Sequence, residues 1–288
     1  MIPKISVVTP SYNQRTFLEA ALQSVRTQNY SSFEHIVVDG ASTDGTVEYL
    51  RSLTGKGGWE HLRWISEPDK GQSDALNKGF KMASGDIVGW LNSDDVYRRG
   101  CFASVVEALR GTQCDVLYGD TTWIDEKGRV FQIRREIEFN SFVMLYHRIL
   151  CVPTAATFFS KRVFDEGNFI DLQYRYAMDL EFFLRLERRG YCFRHIPLLL
   201  ADFRWHSASK SSAAASRQFE ERDQIVPLYS PLVGRLRFFP LNRAILMFFR
   251  CAAAARYWGE KFIRGYYFER LLFPGRVFVG QTSNSIEP

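Results

Sequence analysis

Residues 90–95 read WLNSDD, so two adjacent carboxylates, Asp94 and Asp95, follow the apolar run from Ile87 to Leu91. Like charges this close at the end of a buried strand call for compensation, either by water at a turn or by a cation. Hard cations such as Mg2+ or Mn2+ take oxygen ligands, commonly one or two carboxylates completed by phosphate oxygens and water. The plainer reading is a solvated turn in which Asp95 caps the helix that follows. A third carboxylate, Asp39, closes the apolar run HIVVD and opens the turn GASTDG. An aspartate there can accept hydrogen bonds from a ribose or a base edge, or it can cap its own loop. Neither GxGxxG nor GxxxxGK[ST] occurs, so a nucleotide held here needs its phosphates neutralised in another way, and a divalent metal is the obvious candidate.

The elements that carry these residues alternate. Strands are expected at 4–9, 34–38, 62–66 and 86–91, with helices over 14–28, from 46, over 72–82 and over 101–109 between and after them. A βα rhythm of this kind implies a mostly parallel sheet covered on both faces, with ligands beyond the carboxyl ends of its strands. Those ends carry Thr9-Pro10-Ser11-Tyr12-Asn13, Asp39-Gly40-Ala41-Ser42, Glu67-Pro68-Asp69-Lys70 and Asn92-Ser93-Asp94-Asp95. All four are polar and should converge on one edge. Further on, the pattern predicts a strand at 115–118, a hairpin over 121–133 turning at Lys127-Gly128, a helix over 174–189 and a strand over 191–200. Residues 207–216, small and polar, read as a loop.

Composition sets the outer bounds. The chain has 288 residues, 46% hydrophobic and 24% charged, as expected for a globular protein of one large domain or a domain plus an extension. Five scattered cysteines without a CxxC pair suit reduced thiols in the cytoplasm and support neither a disulfide framework nor a zinc site. The opening MIPKISVVTP lacks the apolar core of a signal peptide, and no run of 18 apolar residues suggests a spanning helix. The net charge of +5 is unevenly placed. From Pro227 onward nine basic residues meet three acidic ones, so the first 226 residues carry a net −1. That tail mixes arginine with Phe, Leu, Tyr and Trp at helical spacing. It reads either as a helix packed on the domain or as an interfacial segment, over 235–276, attracted to anionic lipid.

Together the segments SVVTPSYNQRTFLEAALQSVRTQ, VVDGASTDGT, SEPDKGQSDALNKG and GDIVGWLNSDD resemble a family-2 glycosyltransferase of the GT-A fold, in the family's order and spacing. With AMDLEFFLRL and FRWHSASKS the resemblance covers about residues 3–212. It implies a Rossmann-like α/β domain over 1–226, with a nucleotide-sugar half over 1–120 and an acceptor half over 121–226, followed by a helical extension over 227–288. It also implies a nucleotide-sugar donor, usually a UDP-sugar, and transfer with inversion.

Carried over by position, Thr9, Pro10 and Tyr12 would line the base pocket and Asp39 would bind the uracil. Asp74 and Asn77 would face the donor, and Lys70 could approach the base or the phosphates. The family's Asp-x-Asp motif falls on Asn92-Ser93-Asp94, so its first aspartate is replaced. Asp94 keeps the metal role, with Asp95 as a further candidate, while Asn92 offers only a carbonyl or a ribose hydrogen bond and Ser93 lies beside it on the donor side. The metal would be Mn2+ or Mg2+. Asp179 falls where the family carries its general base, with Glu181 the runner-up, and His206 where many relatives meet the metal or the diphosphate. Ser209 and Lys210 would close over the phosphates. The acceptor would be a saccharide, lipid-linked and destined for a cell-surface polysaccharide, and nucleic acid is not expected as a partner. Two other classes stay open: a nucleotide-sugar nucleotidyltransferase, and a catalytically impaired relative that only binds a sugar nucleotide.

Overall fold

The computed structural model describes residues 2–147, 149–206, 215–235 and 242–267. In chain order the first part runs β1 (Ile5–Ser11), α1 (Arg15–Arg26), β2 (Phe33–Asp39), α2 (Thr46–Leu53), β3 (Leu62–Ser66), α3 (Gln72–Met82) and β4 (Ile87–Trp90). After it come β5 (Val96–Tyr97), α4 (Cys101–Leu109), β6 (Val116–Ile124), β7 (Val130–Arg134), α5 (Ser141–Tyr146), β8 (Thr157–Ser160), α6 (Lys161–Asp165), α7 (Met178–Arg188) and β9 (Phe193–Arg204). The chain then forms α8 (Ala215–Tyr229), α9 (Pro231–Arg235) and α10 (Asn242–Ile263).

One nine-stranded sheet has the order β3-β2-β1-β4-β8-β6-β9-β5, with β7 on β6. The first four strands pair in parallel, which places the ends of β1, β2, β3 and β4 on one edge as the alternation requires. Both faces are covered. Val8, Val38, Val88 and Trp90 pack against Leu76 and Phe80 of α3. Ile5, Val7 and Ile87 pack against Val25 of α1 and Phe102 and Val105 of α4. Gly79 sets the depth of α3, because a Cβ there would come within 2.2 Å of Val8 Cγ1. The helix lies almost on the strand, and this holds its N-terminus at the sheet edge.

The second half of the sheet departs from the simple rhythm. Strand β8 is antiparallel to both β4 and β6. It is only four residues of Thr, Phe and Ser, too short to show a period. Strand β9 is parallel to β6 and runs four residues further than the apolar pattern, to Arg204. Its end pairs with β5, Val96 opposite Asp202, and this delivers residues 204–206 to the edge beside Asp95. The hairpin of β6 and β7 forms, turning through Gly128 at φ 80°.

Candidate active site

Asn92 organises the carboxylate end. Its side-chain oxygen accepts from Trp90 Nε1 at 2.9 Å and from Gln72 Nε2 at 2.8 Å. An indole N–H only donates, so the atom facing it must be oxygen and the amide nitrogen is left to donate to Asp95 Oδ2, at 3.0 Å. The other oxygen of Asp95 accepts from the Arg204 backbone N–H at 3.0 Å. Asp95 is buried, and desolvation followed by repulsion from Asp94 pushes its carboxyl well above the usual carboxylate range. It therefore neither caps α4 nor stands open to a metal; both oxygens bind groups of the protein itself. Asn92 likewise has its carbonyl occupied twice.

Asp94 differs. Part of its side chain, 21%, remains exposed, and Oδ2 lies 3.0 Å from His206 Nε2. His206 is buried against Phe17, with ring centroids 4.7 Å apart. Arg204 braces the pair. Its Nε donates to the Asp94 carbonyl, its Nη1 donates to the carbonyls of Asp125 and Glu126, and its guanidinium lies over Phe17. Among the described residues no three Asp, Glu, His or Cys side chains gather into a metal cluster. One carboxylate oxygen and one imidazole nitrogen suit Mn2+ when diphosphate oxygens and water complete the shell, so the donor set fits.

On the nucleotide side, the strand ends are tied to one another. Thr9 Oγ1 lies 2.8 Å from His35 Nε2, and Ser93 Oγ donates to the Pro10 carbonyl at 3.0 Å. Both contacts are buried, so Thr9, Pro10 and Ser93 fasten the edge. Asp39 is fully buried and accepts from Ser42 N–H, Ser42 Oγ and Ser66 Oγ at 2.9, 2.5 and 2.7 Å. Its carboxylate thus caps its own loop, the alternative weighed for it, and does not reach open space. The acid nearby is Asp69, a half-buried turn residue after β3 whose Oδ1 accepts from the Gly71 N–H at 2.7 Å. A Cβ on Gly40 would stand 2.6 Å from Asp69 Oδ2 and 3.3 Å from Tyr12 Cδ2. The bare glycine therefore lets an exposed tyrosine ring and a carboxylate close on one slot, between turns that hold Asn13 and Ala41 at φ 52° and 63°.

Helix α3 links this slot to the remaining candidates. Asp74 turns back to the Lys70 N–H at 3.1 Å and so caps the helix start, while the Lys70 side chain is exposed. Asn77 proves to be a clamp: its amide donates to the Ile170 carbonyl and accepts from the Ile170 N–H, each at 2.8 Å. With both ends of the amide held by backbone, Asn77 does not face a donor. At the N-terminus of α3, Gln72 holds Asn92 and its neighbour Ser73 donates to Met178 Sδ at 2.8 Å. Two consecutive residues thus tie WLNSDD to the start of α7.

Asp179 is the second residue of α7 and half-buried, with Oδ1 accepting from the Leu180 N–H at 2.7 Å. Glu181 is buried, chelated by Arg185 at 2.9 and 3.0 Å and bonded by Tyr229, so it braces the helix. The helix begins four residues later than its apolar pattern suggests, and the reason is Glu221. This residue of α8 accepts from the successive backbone N–H groups of Arg175, Tyr176 and Ala177 at 3.0, 2.6 and 2.8 Å. An acidic cap supplied by another helix leaves no mark in local sequence. Trp90 is core, whereas Trp205 is partly exposed and stacked on Trp123 with centroids 5.4 Å apart. Ser209 and Lys210 lie outside the described residues.

The family model described as Glycosyl transferase family 2 matches residues 6–167, more than half of the chain. The chain belongs to glycosyl transferase family 2. This family-2 chain is 36% identical over 186 residues to an uncharacterized glycosyltransferase of Mycobacterium tuberculosis, covering 64% of this chain and 68% of that protein. It is 34% identical over 112 residues to a putative teichuronic acid biosynthesis glycosyltransferase, TuaG, of Bacillus subtilis, covering 39% and 44%. Among solved structures, TarS of S. aureus in complex with UDP-GlcNAc superposes with a TM-score of 0.62 at 18% identity, over 82% of this chain and 73% of that one. A mannosyltransferase of Pyrobaculum calidifontis in complex with GDP-Man and Mn2+ gives 0.58 at 17% identity, over 96% and 89%. At such identities these likenesses establish the GT-A fold of the family-2 chain. The family match ends before Asp179 and His206.

Proposed function

We propose that this glycosyltransferase is an inverting enzyme that moves a sugar from a nucleoside diphosphate donor, of UDP type, to a hydroxyl of a saccharide acceptor borne on lipid. One observation carries the reading. Asp94 and His206, 112 residues apart in sequence, meet at 3.0 Å on the strand edge that also holds the Tyr12–Gly40–Asp69 slot. The nucleotides in the TarS and mannosyltransferase structures support a donor of this class, and TuaG's description supports a cell-surface polysaccharide product.

In this reading the base lies in the slot, stacked on Tyr12 with Asp69 accepting from its edge, and the diphosphate reaches Asp94. A divalent metal held by Asp94 and His206 would supply Lewis-acid stabilisation of the departing diphosphate. Arg204 and Phe17 keep His206 in place. Asp179 takes the proton from the acceptor hydroxyl, whose oxygen attacks the anomeric carbon opposite the leaving group. Ser73 and Glu221 hold the start of α7, so the base is fixed relative to Asp94 through Gln72 and Asn92. The stacked indoles of Trp123 and Trp205 favour a saccharide acceptor, since sugar rings pack on aromatic faces. The catalytic unit runs past the expected boundary at 226 to the end of α8 at Tyr229, and α10 docks on it through Ala253 and Tyr257, which share its hydrophobic core.

The test is a panel of nucleotide sugars screened for thermal stabilisation and hydrolysis, with and without Mn2+. Stabilisation and metal-dependent hydrolysis by a UDP-sugar are expected. Stabilisation without turnover of any sugar nucleotide, with lipid extract supplied as acceptor, would instead mark a binding-only relative.

A further inference from the structure

Helix α10 has two faces of different fate. On one, Ala253, Tyr257 and Lys261 are buried. Phe249 packs on Phe142 and Tyr146 of α5, and Glu260 accepts from the Glu138 N–H. The helix is therefore fixed to the catalytic unit. On the other face Ala244, Met247, Phe248, Cys251, Ala255, Trp258 and Phe262 are all exposed. Steps of three and four place them on one stripe, and the stripe holds no charged residue. It runs for about 27 Å at 1.5 Å per residue. Met247 is 68% and Phe248 67% exposed, and Ile263 at the margin is 85% exposed.

A surface helix ordinarily turns its polar side outward; here the outward side is apolar and the charges nearest to it lie at its margins. Arg243 and Arg256 are exposed there, and Arg250 pairs with Asp223. Across the described tail, Arg235, Arg243, Arg250, Arg256, Lys261 and Arg264 face a single acid, Glu260. Trp258 and Tyr267, 6.3 Å apart at the C-terminal end, are the aromatic types favoured at a membrane–water boundary. No helix among the described residues is long and apolar enough to cross a membrane.

We propose that the outward stripe of α10 lies in the headgroup region of an anionic bilayer, with the flanking arginines on lipid phosphates and the inward face holding the catalytic unit against the membrane. The surface is thus narrower than the basic tail as a whole. Membrane contact here is independent of the transferase chemistry, so either can fail alone.

The experiment is co-sedimentation of the full chain with phosphatidylcholine vesicles, with and without phosphatidylglycerol, at low and high salt. Binding is expected only with phosphatidylglycerol and should weaken with salt. It should fall about tenfold or more in Met247→Asp/Phe248→Asp and in Ala255→Asp, with melting temperatures unchanged, while Ile2→Asp, an exposed apolar site elsewhere, binds like the parent. Absence of binding by the folded parent, or equal binding by the stripe variants, overturns the proposal. So does a dimer in light scattering that the stripe variants dissolve, since the occupant would then be a second copy.

Discussion

The Asn92 amide donates to the buried Asp95 carboxylate at 3.0 Å, in the position where the family's motif has its first aspartate. An acid at 92 would set two acceptors against each other in a site that Trp90 and Gln72 already close. Asn92→Asp therefore should not improve the site. The expected outcome is a loss of about 1–3 kcal/mol in urea denaturation, the scale of an unsatisfied buried acceptor. Mn2+ affinity by calorimetry should stay equal or weaken. Unchanged stability with tighter Mn2+ binding would show that the motif wants the acid after all.

Asp179→Asn retains the shape of the α7 start but removes the proton acceptor. Transfer should fall by roughly 10²–10⁴-fold, with UDP affinity preserved. A variant that transfers normally yet no longer binds UDP would move Asp179 from the acceptor to the donor side.

Glu221 acts at one remove, through the three N–H groups it caps. Glu221→Ala should cost about 1–3 kcal/mol of stability and lower the transfer rate without changing UDP affinity. Glu221→Gln, which keeps one accepting oxygen, should fall between. If the alanine variant melts earlier but transfers at the parental rate, the cap serves stability only.

His35, buried beneath Thr9, provides a pH signature. Burial first, and the nearby His61 second, hold its imidazole down at about 3, against 6.5 for an ordinary histidine. Its Nδ1 has no hydrogen-bond partner, so a second proton would bury an unsatisfied donor. Between these values the unfolded chain binds a proton that the folded chain refuses. The contribution is thus complete above about 6.5 and drains away as pH falls toward 3. Glu34 overlaps: although burial opposes it, bonds from Ser6, Ser84 and Arg63 hold its carboxyl at about 2. The comparison is therefore between proteins. Stability measured from pH 7 to 4 should fall more steeply in the parent than in His35→Gln, and parallel curves would assign the acid loss to carboxylates alone.

Local order was legible in the sequence. Period and turn chemistry placed β3 and α3 at their observed limits and put the four strand ends on one edge, while the choice of Asp94 over Asp95 came from the family resemblance. The partners of each side chain were not legible, because a hydrogen bond is decided by what the fold brings near. Asp39, Asn77 and Asp95 read as ligand contacts yet bind Ser42, Ile170 and Arg204. Glu221, which no motif or spacing singles out, caps the helix of Asp179. The meeting of His206 with Asp94 needs β9 to pair with both β6 and β5, and four-residue β8 to bridge β4 and β6 with no period of its own. Strand pairing between distant segments is set by backbone bonds and shared burial, which one chain read in order does not display. The sequence by itself determined the edge on which the polar strand ends gather, and only the tertiary structure decided which of its carboxylates remain open.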